Sequence, residues 1–278
     1  STKTTQKSAD QSTEKSESDQ QKRQSDLQTE EANAADPAKS TLSSGEAQAD
    51  AHSYSGEDEE EGGWIVDNRI TEYLHSLETS RGELLDTIEK KAIEDGVPII
   101  RSETAALLRS LTAALRPENI LEIGTAVGYS ALQMCQVMPA NCHITTIEKY
   151  EKRIPEAKEN FRKAGEESRI TFLEGDADMW LKELKGKQFD LVFMDAAKGQ
   201  YLNWLPLLLD LMPVGAVLIS DNVLQDGDVV QSRFAVQRRN RTIHSRMREY
   251  LYELKHMEEF ETAVIPIGDG VTISTRIR

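Results

Sequence analysis

The chain has 278 residues and a formal charge of −15, unevenly spread: residues 1–63 hold 6 Lys/Arg against 15 Asp/Glu, and residues 64–278 hold 27 against 33. The first stretch has 11 apolar residues, 8 of them Ala, too few to offset the chain entropy lost on folding, so it reads as a disordered acidic and polar tail before a folded body over 64–278. No run of 18 apolar residues and no apolar leader is present, and two Cys with five scattered His give neither a disulfide framework nor a zinc site, which points to a cytoplasmic protein with no membrane span.

Past Trp64, which is expected in the core, Ile65, Ile70, Tyr73, Leu74 and Leu77 recur at helical spacing. A second helix is predicted over 82–95, with Leu84, Leu85, Ile88 and Ala92 on one face and Gly96-Val97-Pro98 ending it. A third, with Ser102 as its N-cap, runs to Leu115. Strands and helices then alternate. Strands are expected at 119–123, 143–147, 170–173, 189–194 and 214–220, and helices at 129–138, 155–164, 178–184 and 201–212. Short, almost continuously apolar strands suit a parallel sheet covered on both faces. The body is therefore α/β and doubly wound. Segments 261–267 and 271–276 flank Gly268-Asp269-Gly270 and read as a closing antiparallel hairpin, with Asp269 a turn residue.

Ligands of open α/β sheets bind outside the carboxyl ends of the strands. All five expected parallel strands carry or meet an acid there: Glu122, Glu148, Asp176, Asp195 and Asp221. Like charges crowd in that way only when a cationic ligand or metal offsets them. The first turn, Glu122-Ile-Gly124-Thr125-Ala-Val-Gly128-Tyr-Ser130, has the glycines of a tight approach to a ligand but lacks the G-x-G-x-x-G spacing of a pyrophosphate site. That argues against a nicotinamide dehydrogenase. Glu148 follows Gly124 by 24 residues, near the spacing at which an acid takes ribose hydroxyls. With Asp176-Ala177, the set suggests a positively charged nucleoside without phosphates, as S-adenosylmethionine is.

A second constellation joins Asp195-Ala-Ala-Lys198 to Asp221-Asn222. Three hard oxygen donors without His or Cys favour Mg2+, and Lys198 is placed to act as a general base. Between Asp228 and Glu249 lie six Arg and no acid: Arg233, Arg238, Arg239, Arg241, Arg246 and Arg248. This local positive segment has the chemistry of phosphate and base contacts, although Ile243, Met247, Leu251 and Leu254 also make it an amphipathic helix with a basic outer face.

Leu121-Glu-Ile-Gly-Thr-Ala-Val-Gly-Tyr-Ser130, Asp195-Ala-Ala-Lys-Gly-Gln-Tyr201, Ser220-Asp-Asn-Val-Leu224 and Ile265-Pro-Ile-Gly-Asp-Gly-Val271 together resemble the metal-dependent, S-adenosylmethionine-dependent O-methyltransferases of the catechol and caffeoyl-CoA type. Within them the likeness is greatest to the bacterial tRNA 5-hydroxyuridine branch, from about residue 66 to the end. The resemblance implies a seven-stranded, mostly parallel sheet and often a homodimer. It implies Ile100, Glu122, Gly124, Thr125, Ser130, Glu148, Asp176, Ala177 and Asp195 around the methyl donor; Ile100 stands where the tRNA branch has Met. It implies Asp195, Asp221 and Asn222 on the metal, with Lys198 and Asp195 at the reacting centre. Arg233, Arg238, Arg239, Arg241 and Arg246 would face a tRNA anticodon loop. A small catechol-like or phenolic acceptor is the alternative, because the same metal site serves any hydroxyl with an oxygen beside it. A binding module without catalysis would not need the complete metal and base set.

Overall fold

The computed structural model describes residues 65–278; the expected tail over 1–63, and Trp64, lie outside the described residues. Three helices lead, α1 (Asn68–Leu77), α2 (Glu83–Glu94) and α3 (Ser102–Leu115). Then come β1 (Asn119–Ile123), α4 (Tyr129–Cys135), β2 (His143–Glu148), α5 (Ile154–Ala164), β3 (Ile170–Glu174), α6 (Ala177–Glu183), β4 (Leu191–Met194), α7 (Tyr201–Leu211) and β5 (Val217–Ser220). A long helix α8 (Arg241–His256) and the pair β6 (Phe260–Ile265) and β7 (Val271–Arg276) complete the body.

The seven strands form one sheet in the order β3-β2-β1-β4-β5-β7-β6. The first five are parallel, and β7 runs antiparallel to both β5 and β6. The chain builds outward from β1 to β3, then returns to lay β4 on the other side of β1. That reversal is a topological switch point, where neighbouring connections leave in opposite directions and open a crevice.

Both faces of the sheet are covered, which explains the unbroken apolar strands. In β4, Leu191 and Phe193 enter one core with Leu85, Leu108 and Phe161, while Val192 and Met194 enter the other with Leu205, Leu208 and Met247. Successive side chains point to opposite faces, so a strand buried on both cannot alternate in polarity.

Several boundaries differ from expectation for identifiable reasons. Ser102 is the first helical residue of α3, not its N-cap, and its hydroxyl donates to Glu103. The cap position is Arg101, held extended with its guanidinium on the carboxylate of Asp226 (2.7 Å). Helix α4 stops at Cys135, short of 138, because Pro139 lacks a donor and disfavours helical backbone before it. Strands β4 and β5 begin later than predicted; the carboxylate of Asp190 accepts the main-chain N–H groups of Glu118 (2.8 Å) and Asn119 (3.0 Å) just before β4. The apolar stripe of α1 does not enter the core: Ile70, Tyr73, Leu74 and Leu77 are exposed, and only Thr71 of that helix is buried.

Candidate active site

A cavity of about 370 Å³ opens at the switch point. Its wall from the β1, β2 and β3 side holds Gly124, Glu148, Asp176 and Ala177; its wall from the β4 and β5 side holds Asp195, Lys198 and Asn222. The two constellations read separately in the sequence thus share one space.

Gly124 makes the close approach. Its φ is +104°, and the position a Cβ would take is filled by the main-chain oxygen of Asp195. Only glycine lets the turn after β1 lie against the end of β4. Glu148 is buried and accepts two main-chain N–H groups, from Ala126 (2.8 Å) and Tyr150 (2.7 Å). These bonds tie the turn after β1 to the turn after β2. Asp176 caps α6, accepting the N–H of Asp178 (2.9 Å); that bond, and Lys149 at 3.4 Å, hold its carboxyl below the usual range.

Four of the residues expected around the donor lie behind this wall. Ile100 is buried in the core beside Pro98 and Ile99, which do line the cavity. Glu122 is fully buried and accepts the hydroxyls of Ser130 and Thr146, both at 2.5 Å. Thr146 shares a further bond with Thr125 (2.6 Å). Burial pushes the Glu122 carboxyl up to about 7, against the pull of its two hydroxyl donors and helped by the charges of Asp195 and Glu148. Glu122, Thr125 and Ser130 therefore form a polar brace joining β1, β2 and α4.

On the other side, Asp221 is buried and accepts the N–H of Asn222 (2.7 Å), which sits at φ +58°, a left-handed conformation that Asn tolerates better than most residues. Burial raises the carboxyls of both Asp195 and Asp221, and Asp195 repels Asp221 further. The charge of Lys198 opposes both shifts. Among the described residues no three His, Cys, Asp or Glu gather into a metal cage. Here the donors are two carboxylates and an amide, all hard oxygens. Asp195 and Asn222 line the cavity and Asp221 is buried just behind them; two neighbouring like charges with an amide beside them fit a divalent cation that keeps further positions for water or substrate.

The phenol of Tyr201 sits beneath this pair. Its oxygen accepts the N–H of Ala196 (3.3 Å) and donates toward the main-chain oxygens of Met194 and Asp221 (3.2 Å each). Lys198 occupies the short 3-10 turn Lys198–Gln200 that follows Asp195. Its Nζ lies 3.9 Å from Asp269. Asp269, expected as a plain turn residue, is only 5% exposed and belongs to the site. An Asp-Gly hairpin signal carries no mark of this. Trp204 and Arg153 also line the cavity; isolated large side chains gave no period or spacing by which to place them.

The basic segment packs beside Lys198: Arg246 donates to the main-chain oxygen of Gly199 (2.7 Å). Arg241 is committed to the carbonyls of Val236 and Phe234, and Arg248 reaches that of Val229. Arg233, Arg238 and Arg239 are exposed and make no ion pair or side-chain hydrogen bond among the described residues. Between them Phe234 is 82% exposed.

Residues 76–277 match the model of a family described as O-methyltransferase. The caffeoyl-CoA O-methyltransferase of Medicago sativa is 33% identical over 190 residues, covering 64% of this chain and 74% of that protein. A candidate caffeoyl-CoA O-methyltransferase of Staphylococcus aureus has a crystal structure that superposes with a TM-score of 0.68 at 30% identity, covering 75% of this chain and 98% of that one. The S-adenosylhomocysteine-bound methyltransferase PaMTH1 of Podospora anserina shares the fold, with a TM-score of 0.69 at 24% identity over 76% of this chain and 95% of that one. With a family match spanning most of the folded body and a switch-point cavity built from its strand ends, the chain belongs to the O-methyltransferase family, in its caffeoyl-CoA type.

Proposed function

We propose that this protein transfers a methyl group from S-adenosylmethionine to a hydroxyl that has a second oxygen beside it, with Mg2+ held by Asp195, Asp221 and Asn222. The observation that carries this reading is the pairing of Asp195 and Asn222, which line the β4 and β5 side of the cavity with Asp221 buried behind them, with Glu148 and Asp176 on the β2 and β3 side.

When bound, Mg2+ supplies a Lewis acid and a two-point template for the acceptor oxygens, and S-adenosylmethionine supplies an electrophilic methyl on a positive sulfur. Every other contribution comes from the chain. Glu148 keeps lone pairs free for ribose hydroxyls after its two main-chain bonds are made. Asp176 and Ala177 flank the base, and Pro98, Ile99 and Ile147 exclude water. Lys198, as the free amine, takes the proton of the acceptor hydroxyl; the acceptor oxygen bonds to the methyl as the methyl–sulfur bond breaks, and S-adenosylhomocysteine leaves with the electron pair. Glu122, Thr125 and Ser130 keep the turn after β1 in register beneath the donor. Most of the rate comes from this positioning, which converts an encounter into an in-line approach.

For the acceptor, the finer reading is the 5-hydroxyl of 5-hydroxyuridine in a tRNA anticodon loop, next to its 4-carbonyl. The exposed Arg233, Arg238 and Arg239, and the exposed ring of Phe234 with Arg241 over it at 5.9 Å, support it, since they offer phosphate and stacking contacts on a segment packed against the Lys198 turn. The second reading, a small catechol-like phenol, is supported by similarity to caffeoyl-CoA O-methyltransferases. The test is mass-spectrometric analysis after incubation with Mg2+, S-adenosylmethionine and either 5-hydroxyuridine-containing tRNA or a catechol panel. Appearance of 5-methoxyuridine supports the first acceptor; methylated catechol alone overturns it.

We also propose a homodimer, with the exposed apolar stripe of α1 as its contact. Ile70 and Leu77 are 52% and 58% exposed, with Tyr73 and Leu74 exposed on the same helix, and apolar side chains gathered in this way mark interaction sites. Light scattering at the mass of one chain would reject this.

A further inference from the structure

The turn between β6 and β7 is fastened to the loop that follows β5. The main-chain oxygens of Asp269 and Gly270 accept the N–H groups of Leu224 (3.0 Å) and Val223 (2.9 Å). Gly270 is at φ +81°, and Leu224 packs where its Cβ would stand. Arg101 spans the junction, reaching the carboxylate of Asp226 (2.7 Å) and the main-chain oxygen of Gly268 (3.4 Å). These contacts would hold the turn whatever side chain stood at position 269.

The carboxylate does something more. One of its oxygens accepts the N–H of Asp226, in the loop that begins with Asn222. The other faces the Nζ of Lys198 at 3.9 Å. A hairpin turn normally leaves its Asp in water, and burying a carboxylate costs free energy unless its oxygens are used. At 5% exposure both oxygens are directed, one at the β5 loop and one at the lysine. Asp269 does not line the cavity, so it has no direct approach to either reactant.

We infer that Asp269 is a positioning residue for Lys198. It tethers the lysine nitrogen from behind, so that the amine points at the acceptor hydroxyl, and it registers that nitrogen against the loop carrying Asp221 and Asn222. This rests on the reading of Lys198 as the proton acceptor. The hairpin, which lies far from Lys198 in sequence, thereby supplies a side chain that acts through the base.

Asp269→Asn keeps the shape and the oxygen for the Asp226 N–H and removes the charge facing Lys198. The expected result is a kcat lower by about 10- to 100-fold, the scale of a misplaced catalytic group, with the donor KM within about twofold. Calorimetric affinity for S-adenosylhomocysteine is expected within about twofold of wild type, and melting within about 2 °C. A crystal structure of the variant is expected to show residues 222–226 in place and the Lys198 side chain displaced. Wild-type kcat, or Lys198 unmoved, overturns the inference. A parallel fall in melting temperature, donor affinity and kcat overturns it too, since that is what a purely structural role produces. Lys198→Met separates the two levels. If that variant keeps wild-type kcat, the proton-acceptor reading itself fails. If it is inactive while Asp269→Asn is fully active, only the positioning role falls.

Discussion

The hydroxyl of Tyr201 lies 3.2 Å from the main-chain oxygen of Asp221. The same hydroxyl also touches Met194 and Ala196 on either side of Asp195. One phenol therefore sets the spacing of the ends of β4 and β5, and so of the two carboxylates assigned to the metal. Tyr201→Phe removes only that oxygen and takes the phenol partner from the Ala196 N–H and the Asp221 main-chain oxygen, while the Met194 oxygen keeps the Asp221 N–H (3.0 Å), a cost of about 1–3 kcal/mol. The variant is expected to melt several degrees lower, to keep its donor affinity, and to bind Mg2+ more weakly with a lower kcat. Calorimetry with the metal alone checks this; wild-type Mg2+ affinity would show that the ring, not the hydroxyl, is what matters.

Removing a metal carboxylate has a different signature. Asp221→Ala is expected to lower methyl transfer by at least about 10³-fold, because template and Lewis acid are lost together. S-adenosylhomocysteine binding stays close to wild type, since Glu148 and Asp176 lie on the other wall. The metal-free variant melts no lower than wild type, because burial and repulsion from Asp195 already penalise this charge. Turnover at the wild-type rate would refute the metal assignment.

Glu122 gives a pH dependence whose sign is fixed. Its folded value is about 7 against an ordinary 4.5, so the folded state holds a proton that the unfolded state has released between those limits. Stability from this group is therefore greatest at low pH and declines as pH rises from about 4.5 to about 7, by on the order of 3 kcal/mol. Glu122→Gln mimics the protonated form. Its melting temperature relative to wild type is expected to rise between pH 5 and pH 8. A difference that stays constant across that range would mean the carboxyl is already ionised in the fold at pH 5.

Gly124→Ala tests the close approach. The new methyl would meet the main-chain oxygen of Asp195 at a φ of +104°, adding a clash to a conformation that L-residues rarely adopt. The ends of β1 and β4 must then part. Donor binding is expected to fall at least about tenfold, with destabilisation of roughly 2 kcal/mol or more. Fluorescence titration with S-adenosylhomocysteine and a thermal melt measure both; unchanged affinity would mean the turn can move aside freely.

Much of the architecture was legible because it is written in short-range patterns. Apolar strands, helical spacing and Gly-rich turns fall within a few residues of one another, and the parallel order follows from their alternation. Asp195, Asp221 and Asn222 were legible as a group because strand ends converge. What was not legible depends on contacts between distant segments. Nothing near Asp269 in the chain signals that Lys198 and Asp226 will surround it. Ser130 and Thr146 turn Glu122 inward, and no local pattern distinguishes an acid facing a cavity from one facing its own brace. The stripe of α1 shows the converse: a helical period predicts the helix but not what covers it.

The position of β7 in the sheet bears on how the protein is made. It is the last of the described strands in sequence, yet it lies between β5 and β6 and closes the edge of β5. Until the ribosome has released that strand, β5 presents unpaired main-chain groups, an invitation to wrong pairing with another chain. The turn bearing Asp269 arrives with the same segment. A growing chain can therefore complete the β1, β2 and β3 wall early, whereas the wall opposite must wait for β7. Methyl transfer would then appear only once β7 has been made, and a chain truncated before Val271 would hold every expected metal ligand and still be aggregation-prone and inactive.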